Sequence, residues 1–132
     1  VLGVDTVVVL DGEIIGKARD EEEAARFVRR LAARTHEVYS GIYLTSRKVA
    51  LSTHAVTHVT FRSLTDADLD AYIASGEWRD RAGAYAIQGI GSGLVKSVDG
   101  DYFNVVGLPV AQLVRLLASV GAAPFSWLRR SL

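Results

Sequence analysis

An acidic residue that interrupts an apolar run is a candidate for chemistry, and Asp5 is such a residue. It lies with Thr6 in a run of β-branched and aliphatic residues at positions 1–10, which is typical of a strand buried on both faces. A buried carboxylate is costly unless it is paired, so we expect a metal, a hydrogen-bond partner or a shifted pKa at Asp5. The alternative is a strand-end acid that backbone amides satisfy.

A second candidate is the glycine-rich segment of residues 76–93, which reads GEWRDRAGAYAIQGIGSG. Glycine lets the backbone approach a ligand closely, and Arg79, Asp80 and Arg81 place opposite charges beside that backbone. One amide side chain, Gln88, follows the charges. A plain connection needs only a few residues, so we predict a binding loop here. A surface loop with solvated charges is the alternative.

Lysine and histidine are the remaining side chains of chemical interest. Lys17 follows Gly16, but the spacing of a phosphate-binding P-loop is absent and Ala18 stands where its hydroxyl would be. His54 and His58 fall on a predicted strand, where four residues span roughly 13 Å, too far to share a metal ion. We expect both histidines to be structural or solvent-facing.

The composition predicts one soluble globular domain over residues 1–132. The chain is 49% hydrophobic and 23% charged, and its 15 basic and 15 acidic side chains cancel. A net charge of zero predicts no broad attraction to nucleic acid or to a membrane surface. The absence of cysteine excludes disulfides and thiolate metal sites, and it fits a cytoplasmic location.

Local patterns predict the elements in the first half of the chain. Asp11-Gly12 indicates a hairpin turn, and Asp20 with Glu23 indicates the start of a helix whose acidic first turn faces solvent. Strands are predicted at 35–45 and 49–62. The second strand alternates, and these residues are expected to share one of its faces: Leu51, Thr53, Ala55, Thr57, Val59 and Phe61.

The second half is predicted to contain two helices and a hairpin. Thr65 with Asp68 should cap a helix over residues 66–74, and strands at 94–98 and 102–106 should pair across Asp99-Gly100. A final helix should start at Pro109 and end at Gly121, with an apolar tail at 122–132 that docks on the domain or on a second subunit. The inward positions of that helix are expected to be Val110, Leu113, Val114 and Leu117.

Several segments resemble motifs of the Maf family, also called septum-formation inhibitors or nucleoside triphosphate pyrophosphatases. Residues 80–89, DRAGAYAIQG, resemble the family's D-K-A-G-A-Y-G-I-Q-G. The further matches, in family order, are Gly3-Val4-Asp5-Thr6, Gly16-Lys17-Ala18-Arg19-Asp20, Thr35-His36-Glu37-Val38 and Val106-Gly107-Leu108-Pro109. Together they cover nearly the whole chain.

The resemblance implies a fold and an activity. The element order predicts an α+β or α/β fold with a mixed sheet flanked by helices, and the family adds a cleft between two lobes, as in inosine triphosphate pyrophosphatases. The implied reaction hydrolyses a nucleoside triphosphate to its monophosphate and pyrophosphate with a divalent cation, Mg or Mn. Asp5 would be the catalytic carboxylate and metal contact, while Lys17 and Arg81 would bind phosphates.

Base selection is also implied by the resemblance. Thr6 and Gln88 match the family members that act on dTTP and UTP, and Gln88 can offer a donor and an acceptor to a pyrimidine. His36, which lies in a family motif, is expected to orient structure.

Two alternatives remain open at this point. The family's upstream S-x-S-P-R-R segment is missing from the printed sequence, so the domain is expected to be incomplete at its N-terminus and its transition-state stabilisation to be weakened. One alternative is therefore a catalytically weak nucleotide-binding module. The other is a regulatory domain of cell division with a protein partner. A homodimer is possible in each case.

Overall fold

The fold is described by a computed structural model over residues 1–122. The expected docking of the C-terminal tail falls on residues 123–132 and lies outside the described part. The α+β class predicted from the sequence, with a sheet flanked by helices, is confirmed.

The centre of the fold is a five-stranded sheet in the order β2-β1-β3-β4-β5. Its strands are β1 (Leu2–Leu10), β2 (Glu13–Ile15), β3 (Thr35–Thr45), β4 (Ala50–Phe61) and β5 (Val95–Asp99). All four neighbouring pairs are antiparallel, which differs from the predicted mixed sheet, because β2 and β3, which run parallel to each other, are separated by β1. The predicted turn at Asp11 joins β1 to β2, and β3 pairs along its full length with β4, from Thr35↔Thr60 to Thr45↔Ala50.

The core lies on one face of this sheet because residues along each strand alternate between the two faces. In β4, Val59 and Phe61 are buried, whereas His54 and His58 are exposed on the other face, as predicted. The α-helices within residues 1–122 are α1 (Glu21–Leu31), α2 (Asp66–Ala74), α3 (Tyr102–Val106) and α4 (Val110–Ser119).

Both predicted N-caps are confirmed. The Asp20 carboxylate accepts a hydrogen bond from the N–H of Glu23, and Thr65 with Asp68 forms a complete capping box at α2. One detail was wrong, because Glu23 does not belong to a solvated acidic face. It is buried, and its carboxylate accepts hydrogen bonds from the guanidinium groups of Arg19 and Arg26.

The predicted hairpin between residues 94–98 and 102–106 was wrong. Strand β5 pairs with β4, in register Val59↔Val98, and the chain then turns into helix α3. Asp101 starts this helix by accepting the N–H of Phe103 at 2.9 Å. An Asp-Gly pair fits a strand-to-helix turn as well as a hairpin, so the local pattern could not distinguish the two outcomes.

Helix α4 follows Pro109, as predicted, and ends just before a residue with positive φ at Gly121. Leu113, Val114 and Leu117 are half-buried, in agreement with their predicted inward orientation. The same prediction for Val110 was wrong, because that residue is 38% exposed.

Candidate active site

A cleft of about 230 Å³ opens beside β1 and contains all five residues predicted to bind or act on a substrate. Its walls come from β1, from the segment after β2, from the 80–88 loop and from the end of α3. The predicted residues in its lining are Asp5, Thr6, Lys17, Arg81 and Gln88. Segments separated by more than eighty residues in sequence therefore converge on one depression.

Asp5 does not lie in the buried strand that the sequence predicted. Residues 1–5 are exposed, and burial begins only at Val8. The physical reason is that β2 is short and pairs with β1 only at Val8–Leu10, so the first half of β1 has a strand on one side alone in the described structure. The Asp5 carboxylate is consequently open to the cleft, and its Oδ1 atom accepts the N–H of Thr6 at 3.0 Å.

Thr6 is held by hydroxyl groups and by the connection after α3. Its Oγ1 atom lies 2.8 Å from Oγ of the buried Ser40 and 3.5 Å from the carbonyl oxygen of Gly107. Ser40 also donates to the carbonyl oxygen of Asn104 at 3.3 Å. This chain of contacts joins β1, β3 and α3 at the floor of the cleft.

Lys17 forms an ion pair with Asp80, at 2.7 Å between Nζ and Oδ1. The hydrogen bond to Asp80 and its charge raise the pKa of Lys17, and the same contact lowers the pKa of Asp80. Both side chains are largely exposed, so the contact is accessible to a competing anion. Because its pKa is raised, the Lys17 ammonium group is positively charged at neutral pH.

The loop beside Arg81 is fixed to the end of β2 by its backbone. The N–H of Gly83 donates to the carbonyl oxygens of Ile15 and Gly16, each at 3.1 Å, and Lys17 pairs with Ala82 in an isolated bridge. A Cβ atom at Gly83 would lie 3.0 Å from a methyl group of Val8. Glycine is required because the loop backbone lies directly on β1 and has positive φ.

Arg81 is exposed at the cleft and forms no salt bridge within residues 1–122. The neighbouring Asp80 and Ala84 both have positive φ, which is uncommon for residues with a side chain. Strained backbone of this kind is concentrated at ligand sites. The Arg81 guanidinium is therefore placed where an anion in the cleft could contact it.

A buried pair, His36 and Tyr85, supports the cleft wall. His36 Nε2 lies 2.7 Å from the Tyr85 hydroxyl, and Tyr85 contributes to the cleft lining. Burial lowers the pKa of His36 to about 4, so its ring is neutral at physiological pH. This position agrees with the expectation that His36 orients structure.

Sequence reasoning did not assign a part in the site to Ser40, Glu77, Asp80 or Tyr85. Asp80 and Tyr85 lie in the segment of residues 80–89 that resembles the family motif, so this motif could have indicated that they belong to the site. No local pattern marks Ser40 or Glu77, because the contacts that tie them to the site, with Thr6 and with Ile90, span more than ten residues.

The carboxylates in the cleft could contribute to a metal site. The described residues contain no group of three or more His, Asp or Glu side chains placed to hold an ion by themselves. Mg²⁺ is commonly held by one or two carboxylates together with substrate phosphates, and the exposed Asp5 oxygen atoms fit that arrangement.

No helix within the described residues is long and apolar enough to cross a membrane.

The fold and the site define an α+β protein with two carboxylates and two basic side chains around an open cleft. Comparison with known families is more specific: residues 1–120 match the family described as Maf-like protein. The chain belongs to the Maf family.

Curated relatives extend the comparison. A dTTP/UTP pyrophosphatase of Bacillus pumilus (strain SAFR-032) is 45% identical over 125 residues, which are 95% of this chain and 66% of the relative. Proteins of the same name from Shigella boydii serotype 4 and Escherichia coli O157:H7 are each 47% identical over 122 residues, which are 92% of this chain and 62% of each relative. The chain therefore spans slightly less than two thirds of these relatives.

Proposed function

We propose that this protein hydrolyses dTTP and UTP to the nucleoside monophosphate and pyrophosphate. The observation that carries the proposal is the convergence of Asp5, Lys17, Arg81 and Gln88 on one cleft. The names of the relatives support the same reaction and the same substrates.

Lys17 and Arg81 bind the phosphates in this proposal. An incoming triphosphate competes with Asp80 for the Lys17 ammonium group, and this exchange costs little because the ion pair is exposed. Arg81 adds planar donors that suit phosphate oxygens. These two cations in the cleft stabilise the charge that develops on the leaving pyrophosphate.

Asp5 is the general base in this proposal. Its carboxylate accepts a proton from a water molecule whose oxygen attacks the α-phosphorus atom. A bond forms between that oxygen and phosphorus, and the bond to the bridging oxygen breaks to release pyrophosphate. Asp5 with the phosphates would hold a divalent cation, Mg²⁺ or Mn²⁺, which when bound supplies neutralisation of phosphate charge.

Gln88 and Thr6 select the base in this proposal. The Gln88 amide offers a donor and an acceptor, and it is exposed at the cleft. The Thr6 hydroxyl is oriented by Ser40, so it presents a fixed polar group on the cleft floor. A base that leaves these polar groups without hydrogen-bond partners binds more weakly, so the protein discriminates against it.

The test measures pyrophosphate release from dTTP, UTP and GTP with Mg²⁺ or Mn²⁺, and with a chelator. Asp5→Asn retains an oxygen for the Thr6 N–H but removes the base, so turnover should fall by about a hundredfold or more. Asp99→Asn, an exposed aspartate on β5, is the matched control and should keep full activity. Binding of dTTP without any release by the folded chain would contradict the proposed reaction.

A further inference from the structure

Glu77 lies just after α2 and holds the backbone that follows Gln88. Its carboxylate accepts two backbone hydrogen bonds, from the N–H of Ile90 and from the N–H of Gly91, each at 2.8 Å. The Tyr72 hydroxyl donates to the same carboxylate at 3.3 Å. Ile90 and Gly91 begin a short 3-10 helix, Ile90–Leu94, so one acidic side chain fixes the start of that helix.

Two glycines that follow Gln88, Gly89 and Gly91, lie where a side chain would be crowded. A Cβ atom at Gly89 would lie 2.2 Å from a Glu77 carboxylate oxygen, and one at Gly91 would lie 2.4 Å from the carbonyl oxygen of Ala86. Cβ atoms in proteins essentially never approach another atom this closely. A side chain at Gly91 would therefore require the backbone to shift, whereas one at Gly89 would require the Glu77 carboxylate to move away.

Gln88 lies between two fixed parts of this segment. Ala86 and Ile87, directly before it, are 5% and 4% exposed in the core, and Glu77 binds the backbone directly after it. The Gln88 side chain itself is exposed and makes no hydrogen bond within residues 1–122. The position of its amide is therefore determined by the backbone on either side.

We infer that Glu77 is a positioning residue for base selectivity, which acts by holding the Gln88 amide where it can pair with a pyrimidine. This inference rests on the proposed function of Gln88. Glu77 does not line the cleft, so it acts only through the loop that it binds. Because Glu77 is half-buried, water can replace its bonds to the backbone when it is removed, and the main effect falls on loop position.

The test compares Glu77→Gln, Glu77→Ala and Gln88→Ala with the unaltered protein. Each N–H binds its own oxygen of the Glu77 carboxylate, and glutamine replaces one of these oxygens with an NH2 group that cannot accept, so it should release one N–H. The measured quantity is kcat/KM for dTTP relative to GTP. This ratio should fall roughly tenfold in each variant of Glu77, as expected for a misplaced polar contact at an exposed site.

A double-mutant cycle separates positioning from a general loss of structure. If Glu77 acts only through Gln88, the Glu77→Ala/Gln88→Ala double variant should show the same ratio as Gln88→Ala alone. Glu22→Gln, an exposed glutamate on α1, is the matched control and should leave the ratio unchanged. An unchanged ratio in Glu77→Ala, or additive losses in the double variant, would overturn the inference.

A measurement without nucleotide keeps this inference distinct from the proposed reaction. The backbone amides of Ile90 and Gly91 should exchange hydrogen at least about tenfold faster in Glu77→Ala. Unchanged exchange would overturn the inference even if dTTP is hydrolysed. If the unaltered protein binds dTTP but releases no pyrophosphate, the same ratio is measured from dissociation constants. A tenfold loss of that ratio in Glu77→Gln would then support the inference while the proposed reaction fails.

Discussion

Replacing His36 by glutamine should make the protein less sensitive to mild acid. The imidazole is 1% exposed and lies edge-to-face against Phe61 and Tyr85, with ring centroids 5.1 and 5.4 Å away. Nε2 is bonded to the Tyr85 hydroxyl, whereas Nδ1 has no partner among the described residues. A proton added to this ring would place an uncompensated charge in the core.

The size of the effect follows from the pKa of His36 in the two states. Burial lowers it from 6.5, which also applies to the unfolded chain, to about 4 in the folded protein. Between these pH values the unfolded state binds more protons, so the free energy of unfolding decreases as the pH falls. At about 1.4 kcal/mol for each pH unit, the full loss is about 3 kcal/mol. Tyr85 adds nothing to this slope, because burial raises its pKa and keeps it neutral.

The assay is urea unfolding of the unaltered protein and of His36→Gln between about pH 7 and about pH 4. Glutamine can still bond the Tyr85 hydroxyl but does not titrate in this range. The carboxylates titrate in both proteins, so the difference between the two curves isolates His36. His58→Gln, on the exposed face of β4, is the control and should leave the slope unchanged. Equal slopes in the unaltered protein and His36→Gln would refute the reasoning.

Two further substitutions test how the fold supports the cleft. Asn104→Ala removes bonds to the Val38 carbonyl (3.0 Å) and to Thr57 Oγ1 (2.9 Å) from a fully buried site, so the free energy of unfolding should fall by about 2–4 kcal/mol in urea. The neighbouring exposed Phe103→Ser should change it by less than about 0.5 kcal/mol, and an equal loss would contradict this assignment. Thr65→Ala removes the N-cap of α2 and should cost about 1 kcal/mol in thermal unfolding, whereas no loss would show that the cap is dispensable.

The elements that could be predicted from the sequence are those whose signals are local. The caps at Asp20 and Thr65 and the alternation in β4 depend on residues within a few positions of one another, and all three are confirmed. The exposure of Asp5 could not be predicted in this way. It depends on the length of β2 and on where β2 pairs with β1, and a continuous apolar run does not encode either.

In the candidate site, too, some features could be predicted from local sequence and others depend on distant contacts. The residues that line the cleft were found through motifs, but their supports are contacts across long sequence separations. Three hydrogen bonds illustrate this, and they join Thr6 to Ser40, Gly83 to Ile15, and Glu77 to Ile90. Neither periodicity nor spacing predicts such pairs, because they form only when the sheet brings distant segments together.

The structure therefore separates the side chains that would act on a substrate from the groups that hold them. Asp5, Lys17, Arg81 and Gln88 are exposed, and each lies on a backbone fixed by strand pairing or by contact with buried groups. Substituting an exposed side chain removes little packing, so it should reduce activity while leaving the free energy of unfolding almost unchanged. Substituting a buried support such as Ser40 or Asn104 leaves polar groups unpaired in the core, so it should reduce both. Measuring activity and unfolding on the same variants would distinguish the two groups, and a support whose loss affects activity alone would contradict this division.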